Sequence, residues 1–184
     1  MTLVVPSVDR LASYAGALER GWSPDTHRPE RAREELDEIA RDVAAFFASL
    51  DDPLAAGPPI RLRDGSLVPR LPGFHRWMWD GEFCGDIGLR WVPGTACLPD
   101  TCPGHIGYGV VPWKRGRTYA TRALALLLPM ARDVGLPHVD LVTEPDNDVS
   151  QRVILANGGT LVERFTRPAH LGGTPALRFR ILLS

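Results

Sequence analysis

The sequence predicts an α/β (α+β) fold: a mixed central sheet of about seven strands, an N-terminal helix pair and one central strand–helix–strand crossover. Three observations predict it. Residues 8–50 carry two apolar stripes at helical spacing. Two runs rich in aromatic and branched residues, 74–79 and 83–92, flank Asp80-Gly81, a hairpin-turn pair. Residues 105–143 then read as strand, long helix and strand, the order of a parallel crossover.

Taken in order, residues 2–5 are a first strand ended by Pro6. Ser7 caps a helix over 8–20 with Leu11, Tyr14, Ala15 and Leu18 on one face, stopped by Gly21. A second helix is expected over 29–50. Its stripe is Leu36, Ile39, Val43, Phe46, Phe47 and Leu50, and its other face is charged. Residues 51–73 are Pro- and Gly-rich, with a small hairpin expected at Asp64-Gly65. The two runs around Asp80-Gly81 follow, then a Pro/Gly/Cys loop over 93–104 and a strand over 105–111. The helix over 117–134 places Ala120, Leu124, Leu127 and Ala131 on one stripe and stops at Gly135 and Pro137. Pro129 should bend it. A strand at 138–143 leads to a short helix capped by Asp146 or Asn147 and ended by Asn157-Gly158-Gly159. Strands at 160–166 and 176–183 close the chain.

The length suits a single domain over 1–184, with a strand and helix pair over 1–56 and the core over 70–184. A chain this long buries roughly 70% of its unfolded surface, so its core needs no staples. Net charge is −1, which argues against a nucleic-acid or membrane-surface binder. The three cysteines, Cys84, Cys97 and Cys102, lack a pairing pattern and suit reduced thiols in the cytoplasm. Cys97, Cys102 and His105 fall short of a zinc ligand set, so no metal is expected. No apolar run reaches the length of a membrane span, and residues 1–10 do not read as a signal peptide.

The stretch HIGYGVVPWKRGRTYATRA, residues 105–123, carries the functional signal. A strand runs through a glycine- and arginine-rich turn into a helix. A helix start has unpaired N–H groups and the positive end of the macrodipole, and Lys114, Arg115, Arg117 and Arg122 surround this one. Such a turn suits a phosphate-bearing ligand. A dinucleotide loop would need a third glycine where Pro112 stands, and a nucleoside triphosphate loop would need Gly-Lys followed by Ser or Thr. Both are rejected.

Arg115-Gly116-Arg117-Thr118-Tyr119-Ala120 resembles the acyl-CoA loop of the GNAT N-acetyltransferases, Arg/Gln-x-x-Gly-x-Gly/Ala, in its first and last places. EPDNDVSQRVILANGG resembles the family's Asp-Asn-x-x-Ser helix, and WDGEFCGDIGLR its preceding hairpin. The resemblance covers 70–183, and the N-terminal helices more loosely. It implies a GNAT-like fold whose two parallel strands splay apart, with acetyl-CoA as co-substrate. Direct transfer of the acetyl group to a primary amine of a small molecule or peptide is implied. The arm of CoA would bond Gly109, Val110 and Val111. Its pyrophosphate would lie on Arg115, Gly116, Arg117, Thr118, Tyr119, Ala120 and Thr121. Asn147 and Ser150 would lie beside the arm. Two departures stand out: Thr118 occupies the first motif glycine, and Ile154 a place where many relatives carry a tyrosine that protonates the thiolate. Ser150 could take that role. Binding of acyl-CoA without catalysis, or of another anion, are the alternative readings. A homodimer through the C-terminal strands is compatible with the pattern.

Attack by an amine on a thioester needs a proton acceptor. Glu144, at the end of the 138–143 strand, is the first candidate, and His105 the second. Glu144 could instead flank the next helix, and His105 could be structural. Asp86 is third, and Asp140 is read as structural. Trp22, in the loop between the N-terminal helices, could line the acceptor pocket, and Arg61, Arg63 and Arg70 could shape it.

Overall fold

A computed structural model describes residues 1–62 and 64–183. β1 (Thr2–Val4), α1 (Val8–Glu19), α2 (Arg31–Arg41) and α3 (Val43–Leu50) come first. The expected single helix over 29–50 is two helices. Asp42 leaves the helical region at φ −159°, ψ 98°, and its side chain accepts the Ala45 N–H at 3.0 Å to cap α3. The break re-aims Phe46 and Leu50 into the core while α2 keeps its charged face outside. A two-residue strand β2 (Asp51–Asp52), not read from the sequence, joins the sheet. The expected hairpin at Asp64-Gly65 connects β3 (Ile60–Arg61) and β4 (Leu67–Val68).

β5 (Gly73–Trp79) and β6 (Phe83–Arg90) form the hairpin expected around Asp80-Gly81; Gly81 turns at φ +113°, where glycine is favoured. β7 (Ile106–Val110), α4 (Tyr119–Asp133) and β8 (His138–Thr143) make the crossover. α5 (Asp148–Leu155), β9 (Thr160–Thr166) and β10 (Pro175–Leu182) finish the chain. The main sheet has the order β1-β5-β6-β7, with β2 also on β5; a second sheet has the order β8-β10-β9. Every ladder among the described residues is antiparallel. β7 and β8 are the parallel neighbours, and they share no ladder.

Two clusters hold the sheets. α4 buries Ala123, Leu124, Leu127 and Ala131 against Ile87, Leu89, Leu141 and Phe179. α1 packs Tyr14 and Leu18 on the other face against Trp77, Phe83 and Trp22, with Tyr14 stacked on Trp77 at a ring separation of 4.6 Å. Pro129 sits inside α4, as read from the sequence. No helix among the described residues is long and apolar enough to cross a membrane.

The sheets touch where β7 begins. The His105 N–H donates to Asp140 O at 2.7 Å, and the Asp140 N–H donates to His105 Nδ1 at 3.0 Å. The Asp140 carboxylate accepts from Arg180 Nε and Nη2, at 2.8 and 2.9 Å. Asp140 is therefore structural, as expected. His105 is completely buried, and burial brings its imidazole down to about 4 despite the nearby Asp140 carboxylate.

His105 is neutral in the fold and charged more readily when unfolded. Its contribution to stability is therefore present above pH 6.5 and is lost as pH falls toward 4. His105→Ala leaves the Asp140 N–H unpaired and should cost about 3 kcal/mol in urea denaturation. His105→Asn, which can accept the same bond, should recover part of that. The wild type should lose on the order of 3 kcal/mol relative to the Asn variant between neutral pH and pH 4. Parallel pH dependences in the two proteins would contradict this.

Candidate active site

Beyond the His105–Asp140 contact, β7 and β8 diverge into a V-shaped cleft. The Arg90 N–H donates to His105 O and the Val111 N–H to Cys84 O, so alternate residues of β7 spend their backbone groups on β6. By the same alternation, the N–H and C=O groups of Ile106, Tyr108 and Val110 face the cleft. This corrects the expectation for Gly109 and Val111, whose backbone groups are used on β6. Val110 faces the cleft, and its carbonyl accepts from Arg115 Nε at 3.2 Å.

The turn after β7 runs through a 3-10 helix, Pro112–Lys114, to α4. Gly116 and Thr118 have φ of +77° and +58°. Thr118 is thus the residue before the helix, in the left-handed region, and not part of the first helical turn. A β-branched residue is strained there, which is the physical reason a glycine suits the position. Among the described residues, the N–H groups of Gly116, Arg117, Thr118, Tyr119, Ala120 and Thr121 have no acceptor. Six consecutive donors in an exposed turn make an anion cradle. Arg115 and Arg117 are exposed beside it and pair with no acid among the described residues. Lys114 is withdrawn: it is buried and pairs with Asp80 at 3.0 Å and Glu82 at 2.6 Å. The Tyr119 hydroxyl donates to Asp80 at 2.6 Å. Tyr119 and Lys114 hold the Asp80 carboxyl far below the usual range against the opposing effect of burial.

On the far side of the cleft, Asn147 Oδ1 accepts the Ser150 N–H at 3.0 Å and caps α5. Ser150 Oγ lies 2.9 Å from the Tyr108 hydroxyl. Burial pushes the Tyr108 phenol up to about 12, partly offset by Ser150, so it is a neutral donor at physiological pH. Tyr108 was not read from the sequence as a site residue. The signal was the alternation Ile106, Tyr108, Val110, which sends its side chain toward α5. Ile154 is buried at the cleft floor.

Two cavities meet at this edge of β7. One of about 160 Å³ occupies the cleft between Tyr108, Thr143, Asn147 and Ser150. One of about 730 Å³ lies between the α1–α2 loop, β5, β6 and the 60–71 hairpin. Gly107, Tyr108, Glu144, His27 and Arg167 line both. Glu144 stands at the junction, as its position in the sequence implied. It is ion-paired with Arg167 Nη2 at 2.7 Å and His27 Nε2 at 3.2 Å. Burial opposes its charge, but its own backbone N–H, Arg167 and His27 keep its carboxyl below the ordinary value.

Three sequence expectations need correction. His105 lines neither cavity: it is completely buried, and its Nδ1 is spent on the β7–β8 contact. Trp22 belongs to the core, against Phe83 and Tyr14 and under Gly109; the lining of its loop comes from residues 24–27. Arg70 lines the large cavity but pairs with Asp52 at 3.7 Å, while Arg61 is exposed and donates to Gly65 O. Arg63 lies outside the described residues.

The family model described as "Acetyltransferase (GNAT) domain" matches residues 17–160. No curated protein sequence matches the chain significantly. Among solved structures, RimJ of Mycobacterium smegmatis in complex with a CoA-disulfide has a TM-score of 0.62 at 20% identity, over 98% of this chain and 80% of that one. RimL, a ribosomal L7/L12 α-N-protein acetyltransferase in complex with coenzyme A, has 0.62 at 11% identity, over 98% and 93%. The microcin C7 self-immunity acetyltransferase MccE, in complex with acetyl-CoA and AMP, has 0.61 at 12% identity, over 98% and 91%. At these identities the likeness is one of fold. The family model spans most of the chain and includes the splayed strands and the N–H cradle, so the chain belongs to the GNAT acetyltransferases, enzymes that take their acetyl group from acetyl-CoA.

Proposed function

We propose that the protein transfers the acetyl group of acetyl-CoA directly to a primary amine of a small molecule or peptide, with both substrates bound together. The observation that carries this reading is the meeting of two cavities across one strand. A donor in the cleft and an acceptor in the larger cavity would face each other at Gly107 and Tyr108. The six free N–H groups, with Arg115 and Arg117, suit the pyrophosphate. The cleft-facing backbone groups of β7 suit the amide-bearing arm, and the same N–H dipoles favour an oxyanion developing on the thioester carbonyl. Ser150, backed by the Tyr108 hydroxyl, protonates the departing thiolate in this reading, which the Tyr108–Ser150 contact supports. Glu144, already neutralised by Arg167, acts as a fixed wall charge of the acceptor cavity.

Acetyl-CoA should raise the melting temperature and bind by calorimetry, and CoA should be released with at least one of a panel of amino acids, polyamines and peptides with free N-termini. No binding at millimolar acetyl-CoA would sink the reading. Ser150→Ala should lower kcat by about 10²-fold with little change in KM for acetyl-CoA. Thr118→Gly should relieve the left-handed strain and clear the cradle. We expect about 1 kcal/mol of added stability, after the extra chain entropy of glycine, and tighter acetyl-CoA binding. Weaker binding would show that the threonine hydroxyl contacts the phosphate.

A further inference from the structure

The acceptor cavity holds a second pair of titratable groups that the sequence reading did not bring together. His75 of β5 and Asp86 of β6 lie on one face of the sheet, with His75 Nδ1 2.9 Å from Asp86 Oδ1. The Asp86 side chain is largely buried and that of His75 is 43% exposed. Both line the large cavity. The register places His75 opposite Gly88, and Gly88 opposite Gly107. The row therefore runs from His75 to the β7 edge with no side chain between. A Cβ on Gly88 would lie 2.9 to 3.1 Å from three atoms of the imidazole, so the ring lies flat over the bare glycine. It spans part of the roughly 10 Å that separates β5 from β7. His75 Nε2 has no hydrogen-bond partner in the chain among the described residues and is the nitrogen left for the cavity.

We propose that His75 is the proton acceptor for the amine, and that Asp86 is the positioning residue that fixes its tautomer and ring. The proposal rests on the transfer reading above and replaces Glu144 in the role of base. Nε2 takes one proton from the bound ammonium, directly or through one water. The neutral amine then attacks the thioester carbon, the C–N bond forms and the C–S bond breaks. The second amine proton balances the thiolate, delivered at Ser150, and the proton on His75 returns to solvent. The Asp86–imidazole geometry resembles the orientation of a base by a carboxylate in other acyl-transfer enzymes.

The surrounding charges support the role. Burial lowers the basicity of His75, but Asp86 outweighs it and leaves the imidazole above its ordinary value. Arg90, on the same strand as Asp86, opposes that rise, and Glu35 of α2 adds to it. Of the remaining charged groups of the cavity wall, Asp52 pairs with Arg70 and Glu144 with Arg167 and His27, while Asp25 of the α1–α2 loop accepts the His27 backbone N–H.

The test compares CoA release across the amine panel for wild type, His75→Ala and Asp86→Asn, with acetyl-CoA affinity measured by calorimetry. His75→Ala should lower kcat/KM by about 10²-fold or more, leave acetyl-CoA affinity within about 2-fold, and regain activity with added imidazole, which fits the space over Gly88. The neutral imidazole is the active form, so kcat/KM should rise with pH up to the value of His75 and level off. Asp86→Asn removes the group that raises that value, so the acidic limb should move to lower pH while the plateau falls. Wild-type turnover that survives His75→Ala with its acidic limb in place would overturn the dyad and leave the transfer reading intact. Failure of wild type to bind acetyl-CoA would overturn the transfer reading itself. Binding without CoA release from any amine would count against both.

Discussion

The rest of the structure depends on where β7 and β8 stop being paired. Parallel neighbours ordinarily continue as a ladder, and every backbone group is satisfied by doing so. Here the pairing is limited to one reciprocal contact between His105 and Asp140. A completely buried imidazole receives the Asp140 N–H, which a further ladder residue would otherwise take. The same Asp140 uses its carboxylate on Arg180 of β10. One residue thus ties the first sheet to the second and the second to itself. Past that point the backbone groups of Ile106 and Tyr108 and the N–H of Val110 are unpaired among the described residues and face the cleft, while the Val110 carbonyl accepts from Arg115. An acid–base His at this place would be incompatible with the hinge, because protonation would remove the acceptor that closes it.

A second constraint fixes the turn that carries the N–H cradle. Asp80, in the β5–β6 turn, receives Lys114 and the Tyr119 hydroxyl. The hairpin turn is therefore bonded to both ends of the loop that delivers the N–H cradle. Lys114 supplies structure and not ligand charge, which leaves the exposed Arg115 and Arg117 as the cations there. Preorganisation of this kind costs the loop its entropy during folding rather than during binding.

Much of this was legible in the sequence. The Asp80-Gly81 hairpin, the α4 stripe ending at Gly135 and the Asn147 cap are local features, set by turn chemistry and by 3.6-residue spacing. The turn that carries the N–H cradle was legible because its residues are contiguous. The break at Asp42 was not, because a continuous apolar stripe gives no sign of a change in helix axis when both halves pack into one cluster. The left-handed conformation of Thr118 was hidden because threonine gives no sign of it. The dyad was out of reach for a stronger reason. His75 and Asp86 belong to different strands, and only the register of the hairpin, including the shift near Met78, puts them on one face. Trp22 misled in the opposite direction: an isolated aromatic in a loop resembles a pocket wall, yet its ring closes the core beneath Gly109.

The two cavities are kept apart by the period of a single strand. In Ile106-Gly107-Tyr108-Gly109-Val110, the larger residues point toward α4 and α5, and their backbone groups turn into the cleft. Tyr108 carries this side's chemistry to Ser150. The alternate residues are both glycine and point to the opposite face. A Cβ at Gly107 would come within 3.2 Å of the Arg90 guanidinium, and one at Gly109 would lie 3.7 Å from the Trp22 ring. Gly88, next in the row, would collide with His75. The glycines therefore do more than permit turns. They leave this face of β6 and β7 bare enough for groups from neighbouring positions to lie across it, while the other face packs normally. A slip of one residue in the β6–β7 register would exchange the two faces and remove the contact of Tyr108 with Ser150.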